Sequence, residues 1–266
     1  MTTTGSTGTL RTLGCVLLCA GAALPAFALD AGRGDVRRFV EEMRREHGFD
    51  EAWLASVIAD AQPQPRIIEL MTRPAEQVMP WHQYRDHFLT AERVAAGTAF
   101  WAEHRAALAA AERDSGVAAR TIVGIVGVET FYGRITGRYR VIDALATLAF
   151  DYPPRAAYFR GELEEFLLLA RDNKIDTTSA LGSYAGAMGR AQFMPRSYRA
   201  FAVDGDGDGR CDLWGSWDDV IASVANYLAR HGWRGGEPVL APAGPWFPRI
   251  DGIKPGALAP DATVKE

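Results

Sequence analysis

One carboxylate stands at the end of an apolar run in the segment GIVGVETFYG, residues 124–133. Burial among apolar side chains disfavours the ionised form of a carboxyl group and raises its pKa, so Glu129 could hold a proton near neutral pH and act as a general acid. Two structural interpretations compete with catalysis: Glu129 could pair with Arg134 or Arg138, or it could end a helix and face water. From the acid alone, a structural role is favoured.

A glycine-rich segment, GSYAGAMGRAQFMP at residues 182–195, places hydroxyl, amide and aromatic groups close together along the chain. It lacks the G-K-[ST] ending of a phosphate-binding loop and the G-x-S-x-G context of a serine nucleophile, which argues against both chemistries. Rings stack on the apolar faces of sugars and polar groups bind their hydroxyls, so Ser183, Gln192 and Phe193 suit a saccharide site. Taken alone, Phe193 and Met194 more often belong to a core.

The segment DGDGDGRCD, residues 204–212, has the D-x-[DN]-x-[DN]-G opening of a calcium loop. Alternate acids let a tight turn point several hard oxygens at one cation, and the next carbonyl adds a main-chain ligand. These donors are Asp204, Asp206, Asp208 and Arg210. The twelfth position, which should be a bidentate Glu, is Gly215, so Asp218 or Asp219 would have to close an enlarged loop. The competing interpretation is a solvated Asp/Gly turn.

The elements that position these residues are predicted to be mainly helices and loops. Helical spacing of apolar residues marks five segments: DVRRFVEEMRREHG, EAWLASVIADA, RVAAGTAFWAEHRAALAAAERDSG, GELEEFLLLARDN and DDVIASVANYLARHGW. TIVGIVGVETF, residues 121–131, is ambiguous, because its β-branched residues suit a buried strand and periodicity does not decide.

The two ends of the chain differ in character from its middle. Residues 1–28 combine Arg11 in a polar start, an apolar stretch and a small-residue pattern at 26–28, which predicts a secretory signal peptide cleaved after Ala28. The stretch is short for a membrane anchor and is broken by Pro25. Residues 235–266 are rich in Pro and Gly and are interpreted as a linker or the start of an incomplete β domain.

Cysteine and charge content exclude several classes of protein. Cys15 and Cys19 lie in the predicted signal peptide without a lipoprotein signature, so cleavage would leave Cys211 alone and no internal disulfide. The 48% apolar content is sufficient for a packed core instead. A net charge of −4, with no basic patch, argues against nucleic acid as a partner.

Together the motifs closely resemble the family of membrane-bound lytic murein transglycosylase B, over residues 35–234. The segments that carry the resemblance are GVETFYG, RVIDALATLAFDYPPRAAYFRGELEEFLLLARD, GSYAGAMGRAQFMPRSYRAFAVDGDGDG and DLW followed by SVANYLARHGW. The resemblance implies a mainly α fold with a lysozyme-like catalytic core, and it favours a helix through Glu129. The implied organisation is a signal peptide at 1–28, an N-terminal helical domain at 29–100, the core with a calcium loop (204–219) at 101–234, and the tail.

By this resemblance Glu129 is the single catalytic acid. The implied substrate-binding residues are Ser183, Gln192, Tyr158, Arg155, Phe193, Met194 and Tyr227. The implied Ca²⁺ ligands of an EF-hand-like site are Asp204, Asp206, Asp208 and Asp219, with the carbonyl of Arg210. Asp219 is preferred to Asp218 because it keeps its spacing to SVANY.

The implied reaction is cleavage of the β-1,4 bond between N-acetylmuramic acid and N-acetylglucosamine in peptidoglycan, leaving 1,6-anhydromuramic acid ends. We expect a periplasmic monomer that acts on glycan strands. Two alternatives stay open: a hydrolytic muramidase that uses the same acid, and a non-catalytic, calcium-stabilised peptidoglycan-binding protein. Pro154 stands where the family commonly has a second basic residue, and the family normally continues well past Glu266, so we expect a shortened and less stable or less active member.

Overall fold

Helices form most of the chain that the computed structural model describes, which is residues 28–73 and 79–239. Residues 1–27 of the predicted signal peptide and residues 240–266 of the predicted tail lie outside the described residues. The helices of the first part are α1 (Gly34–His47), α2 (Glu51–Asp60), α3 (Pro65–Thr72), α4 (Trp81–Asp86), α5 (Ala91–Glu103) and α6 (Arg105–Ser115). Those of the second part are α7 (Ala119–Thr130), α8 (Val141–Asp151), α9 (Ala156–Asn173), α10 (Pro195–Phe201) and α11 (Trp217–Arg230).

Short elements other than α-helices lie between the helices of the second part. A 3₁₀ turn at Pro153–Arg155 joins α8 to α9, and the two-residue strands β1 (Tyr139–Arg140) and β2 (Leu181–Gly182) pair antiparallel. The mainly α fold class predicted from the sequence is therefore confirmed for the described chain.

Helix ends follow the sequence signals for capping. The side chains of Asp50, Thr90 and Ser216 accept hydrogen bonds from the first-turn amides of α2, α5 and α11. Gly48 and Gly116 end α1 and α6 in the left-handed conformation that glycine adopts without steric cost. The alanine-rich segment 93–116 contains two helices, which meet at His104, whose ring packs against Phe100.

The ambiguous apolar segment is helix α7. Its β-branched residues Ile122, Val123 and Val126 are buried on one side, which is helical spacing and not the alternation of a strand. Packing against α5, α6 and α11 supplies this buried face, so tertiary contacts override the β propensity of the segment.

One continuous cluster of buried apolar side chains runs through the described residues, from Leu29 to Ala225. Helix α8 is its centre: α8 packs on α3 and α9, and α9 packs in turn on α10. Every residue of α8 from Val141 to Phe150 is buried. Helix α11 closes the other side against α6, α7 and α10, so the segments that carry the candidate site share one rigid frame.

Candidate active site and ion-binding loop

Glu129 lies in the last turn of α7, and the residues that follow it cannot continue the helix. Phe131, Tyr132 and Gly133 have φ values of 50°, 57° and 80°. Left-handed backbone is unfavourable for the two aromatic residues and persists only where the surroundings impose it. Here Tyr132 is held between α5 and α7, where a methyl group on Gly97 or Gly127 would overlap its hydroxyl. The C-terminal end of α7, and with it Glu129, is fixed by this slot.

The structure corrects the expected burial of Glu129. The residue is exposed, because it lies in the last turn of α7 one turn after the half-buried Ile125, where this side of the helix faces the open groove. Desolvation by the surrounding protein still raises the pKa of its carboxyl group above 4.5.

The partners expected from a structural interpretation of Glu129 are occupied elsewhere. Arg134 pairs with Glu92 at 3.0 Å, and the guanidinium of Arg138 lies over the ring of Tyr139. Within residues 28–73 and 79–239, the side chain of Glu129 forms neither a hydrogen bond nor an ion pair. Its protonation is thus governed by desolvation without a compensating cation.

Glu129 contributes to a groove of about 350 Å³. The predicted residues that the structure brings together there are Glu129, Gln192, Phe193, Met194 and Tyr227. The other lining residues, which the sequence did not suggest, are Ile125, Ala191, Ser197, Val224 and Leu228. Helical spacing could have found some of them, since Ile125 is one turn before Glu129 and Val224 and Leu228 flank Tyr227. Glu129 is the one carboxylate among the described residues that line this groove.

The groove wall formed by residues 191–194 is held in a defined conformation. Gln192 has a φ of 51°, and its side-chain amide donates to the carbonyls of Gly189 at 2.9 Å and Thr136 at 3.1 Å. Phe193 is buried and packs against Tyr227 with ring centroids 5.5 Å apart. These contacts give the groove one polar and several apolar walls, which is the composition that sugar sites use.

Three predicted substrate-binding residues do not line this groove. The hydroxyl of Ser183 accepts from the amides of Ala185 at 3.2 Å and Ala187 at 3.0 Å, so it organises the glycine-rich loop. Arg155 lies with its guanidinium 4.5 Å from the ring centroid of the exposed Tyr158, at the start of α9.

The acidic segment between α10 and α11 forms a compact loop around carboxylates. Asp204, Asp206 and Asp219 each offer one oxygen, and these oxygens lie within 4.8 Å of one another. Backbone amides of Gly209 and Gly207 donate to Asp204 and hold the pKa of its carboxyl group below the ordinary value. Three hard oxygen donors around one point fit a Ca²⁺ ion.

The geometry distinguishes the two candidate closing acids. Asp219 is buried, and its two oxygens accept from the amides of Gly205 at 2.8 Å and Asp212 at 2.6 Å. Asp218 is exposed and outside the three-carboxylate cluster. Asp208 is also outside it and accepts from the amide of Arg210 at 2.8 Å.

A comparison with protein-family models gives one assignment. The family model described as the transglycosylase SLT domain matches residues 32–245, which is most of the chain. The chain belongs to this transglycosylase SLT family. The family predicted from the motifs is thereby confirmed.

Another member of the family is similar in sequence over most of this chain. The membrane-bound lytic murein transglycosylase B of Escherichia coli is 44% identical over 222 residues, which cover 80% of this chain. The chain spans 61% of the length of that relative.

Solved structures of the family agree with the fold. The soluble lytic transglycosylase SltB1 of Pseudomonas aeruginosa is 53% identical, with a TM-score of 0.73 over 76% of this chain and 68% of that one. The lytic transglycosylase Slt35 of E. coli in complex with calcium is 44% identical, with a TM-score of 0.74 over 78% and 66% of the two chains. The expected lysozyme-like core of this SLT member is confirmed. None of the helices within 28–73 and 79–239 is both long and apolar enough to span a membrane.

Proposed function

We propose that this chain is a lytic transglycosylase that cleaves the β-1,4 bond between N-acetylmuramic acid and N-acetylglucosamine in peptidoglycan. The observation that carries this proposal is the single carboxylate, Glu129, in a largely apolar groove. Glycoside hydrolases that use water normally need a second carboxylate across the scissile bond. No such partner lines the groove in the described part of the chain, which favours a reaction whose nucleophile belongs to the substrate.

The proposed reaction uses Glu129 twice. The protonated carboxyl group donates its proton to the O4 leaving oxygen of N-acetylglucosamine while the C1–O4 bond breaks and positive charge develops at C1 of the muramoyl ring. The resulting carboxylate then takes the proton of the muramoyl C6 hydroxyl, and O6 bonds to C1. Atoms and charge balance without water, the product is a 1,6-anhydromuramoyl end, and Glu129 is protonated again. Its raised pKa supports the first step.

The groove side chains are proposed to hold the sugar rings. Phe193 and Tyr227 offer aromatic surfaces, Met194 adds apolar contact, and Gln192 places an amide beside Glu129. We keep Arg155 and Tyr158 as proposed contacts farther along the glycan strand, where an exposed cation and ring could meet a stem peptide. Ser183 is proposed to act by shaping the loop that precedes Gln192.

The three-carboxylate cluster is proposed to bind Ca²⁺ as a structural ion. Asp204, Asp206 and Asp219 supply its oxygens, and the predicted ligands Asp208 and the carbonyl of Arg210 would complete the shell. When bound, the ion supplies positive charge that offsets repulsion among these acids and ties the loop to α11.

The periplasm is the proposed location. It contains the peptidoglycan on which the proposed activity acts, and residues 1–28 have the composition of a secretory signal peptide. N-terminal sequencing of the protein recovered from a periplasmic extract should begin at Leu29, and recovery with Met1 intact would contradict the cleavage.

Mass spectrometry of the products released from purified peptidoglycan tests the activity. We expect fragments ending in 1,6-anhydromuramic acid, which are lighter by one water than hydrolysed ends, and no release by the Glu129→Gln variant. Hydrolysed ends would identify a muramidase instead. Binding without release by a folded protein would identify a non-catalytic peptidoglycan-binding protein.

A further inference from the structure

Arg190 belongs to the glycine-rich loop and contacts the ion-binding loop. Its amide donates to the carbonyl of Leu213 at 2.7 Å, and its Nη1 donates to the carbonyl of Gly215 at 3.0 Å. Its guanidinium lies 4.5 Å from the ring centroid of Trp217. The preceding Gly189 approaches the Leu213 carbonyl so closely that it has no room for a side chain.

The same residue also holds the end of the Glu129 helix. The carbonyl of Arg190 accepts from the hydroxyl of Thr130 at 3.0 Å, and that hydroxyl accepts from the amide of Gly133 at 3.0 Å. Thr130 is 1% exposed and directly follows Glu129. Two residues beyond Arg190, Gln192 lines the groove. One residue therefore joins the ion-binding loop to both sides of the candidate site.

The carboxylate cluster encloses the residues that hold Arg190. Leu213, Gly215 and Trp217 all lie between Asp206 and Asp219 in the sequence. Ser216 ties these two acids together, because its hydroxyl donates to Asp206 at 2.9 Å and accepts from the amide of Asp219 at 3.2 Å. An ion held by Asp206 and Asp219 would therefore restrain both ends of this segment, and Ser216 within it.

We infer that Arg190 is a positioning residue that couples ion binding in the carboxylate loop to glycan binding in the Glu129 groove. The inference rests on the proposed function and makes Ca²⁺ a regulator of substrate affinity as well as a structural ion. Coupling between two binding sites is reciprocal: the factor by which Ca²⁺ raises glycan affinity equals the factor by which glycan raises Ca²⁺ affinity.

Calorimetric titration of the Glu129→Gln protein measures this coupling without cleavage of the ligand. The probe is a tetrasaccharide of alternating N-acetylglucosamine and N-acetylmuramic acid, titrated in saturating Ca²⁺ and again with a chelator. We expect the affinity for the tetrasaccharide to be at least about 5-fold higher with Ca²⁺ than with the chelator. A factor of this size is the lower end of typical coupling factors. The reverse titration of Ca²⁺, with and without tetrasaccharide, should give the same factor.

Removal of the Arg190 guanidinium should weaken the coupling, because it removes the contacts to Gly215 and Trp217 and leaves the backbone hydrogen bonds of residue 190 in place. In Glu129→Gln/Arg190→Met, Ca²⁺ should still bind while its effect on tetrasaccharide affinity falls below that in the Glu129→Gln protein. The matched control is Arg171→Met in the same background, because Arg171 also donates to a backbone carbonyl, that of His47 at 2.8 Å, and stacks on a ring, that of Phe49 at 4.6 Å. This control should keep the full coupling.

A second variant breaks the connection at its other end. Thr130→Val keeps the shape of the side chain and removes its hydrogen bond to Arg190, so coupling should also fall while Ca²⁺ affinity without glycan stays the same. Equal coupling in all four proteins, or tetrasaccharide binding that is indifferent to Ca²⁺, would overturn the inference and leave the proposed function standing. Absence of any tetrasaccharide binding would overturn both.

Discussion

Glu129 has two properties that a residue acting first as acid and then as base needs. It is accessible to a ligand in the groove, and it has no ion-pair partner among the described residues. Desolvation alone raises the pKa of its carboxyl group. A salt bridge would have had the opposite effect and would have kept the group ionised.

Loss of the Glu129 carboxyl group should remove turnover. In Glu129→Gln we expect the release of anhydro-ended fragments to fall by at least about 100-fold, the lower end for loss of a general acid–base group. Glu112→Gln is the matched control, since Glu112 is an exposed helical glutamate outside the groove, and it should keep full activity. Comparable activity in the two variants would contradict the role of Glu129.

The Glu129→Gln substitution should also change the stability of the fold, and this change should depend on pH. Because the pKa of Glu129 is higher in the folded than in the unfolded chain, its ionisation disfavours the folded state. The stability that this residue contributes in its protonated form is present below the unfolded pKa near 4.5 and is lost as pH rises through the raised folded value. Thermal melts should therefore show Glu129→Gln more stable than the parent above this window. Below the window the two proteins should differ by a constant amount, and a difference independent of pH throughout would contradict the raised pKa.

Among the secondary-structure elements, α7 and its termination determine where Glu129 points. Tyr132 occupies a slot between α5 and α7 that exists only because Gly97 and Gly127 lack side chains. These glycines lower the helix propensity of their own helices, and the packed ring offsets this cost.

Two glycines of α7 should respond to the same substitution with opposite signs. Gly127→Ala should destabilise the fold by about 1–3 kcal/mol, since its methyl group would overlap Tyr132. Gly124→Ala should stabilise it by up to about 1 kcal/mol, because the new methyl group meets open space and alanine favours a helix. Denaturant unfolding of both variants measures the two changes in the free energy of unfolding. Changes of the same sign would contradict the close packing of Tyr132 against Gly127.

Helix α11 begins at a cap that also belongs to the ion-binding loop. Ser216→Ala should cost about 1 kcal/mol in the free energy of unfolding through loss of the cap. It should also weaken Ca²⁺ binding, since Ser216 holds Asp206. Thr90→Ala removes the cap of α5 and should cost a similar free energy with unchanged Ca²⁺ affinity. Calorimetric Ca²⁺ titration of both variants tests this, and equal affinities would contradict the double role of Ser216.

At the scale of the whole molecule, the described residues share one apolar core that supports the groove and the ion-binding loop together. The loop joins α10 to α11, and α11 packs on α6, α7 and α10. If the loop lost its ordered structure, the packing of α11 against these helices would weaken, and most of the second part of the chain would be destabilised.

Calcium removal should lower the melting temperature of the chain. An ion at 100 times its dissociation constant stabilises the folded state by about 2.7 kcal/mol. For a domain of this size that corresponds to a shift on the order of 5–10 °C, measured by thermal melts with Ca²⁺ and with a chelator. Asp219→Asn should lose this response, while Asp218→Asn should keep it. An unchanged melting temperature after chelation would argue against the ion site.

Sequence patterns predicted the helices that have clear apolar periodicity, and the family resemblance supplied five of the ten residues that line the groove. The patterns did not show whether the segment of α7 is a strand or a helix, because its residues have high β propensity. The burial of Ile122 and Val126 against other helices favours the helix. The expected burial of Glu129 was wrong because apolar neighbours in sequence do not tell where the packing against a helix ends and a groove opens. The slot of Tyr132 and the contacts of Arg190 each join distant segments, so no local pattern could reveal them.

The left-handed residues after Thr130 also restrict how this family member can change in length. Tyr132 anchors one end of α7, and the turn at Val117 and Ala118 anchors the other, with Val117 completely buried. An inserted or deleted residue inside α7 would have to rotate part of the helix by about 100°. Glu129 would then leave the groove, or the buried side of α7 would leave the core. Point substitutions outside the Tyr132 slot should therefore disturb this helix less than insertions or deletions within it.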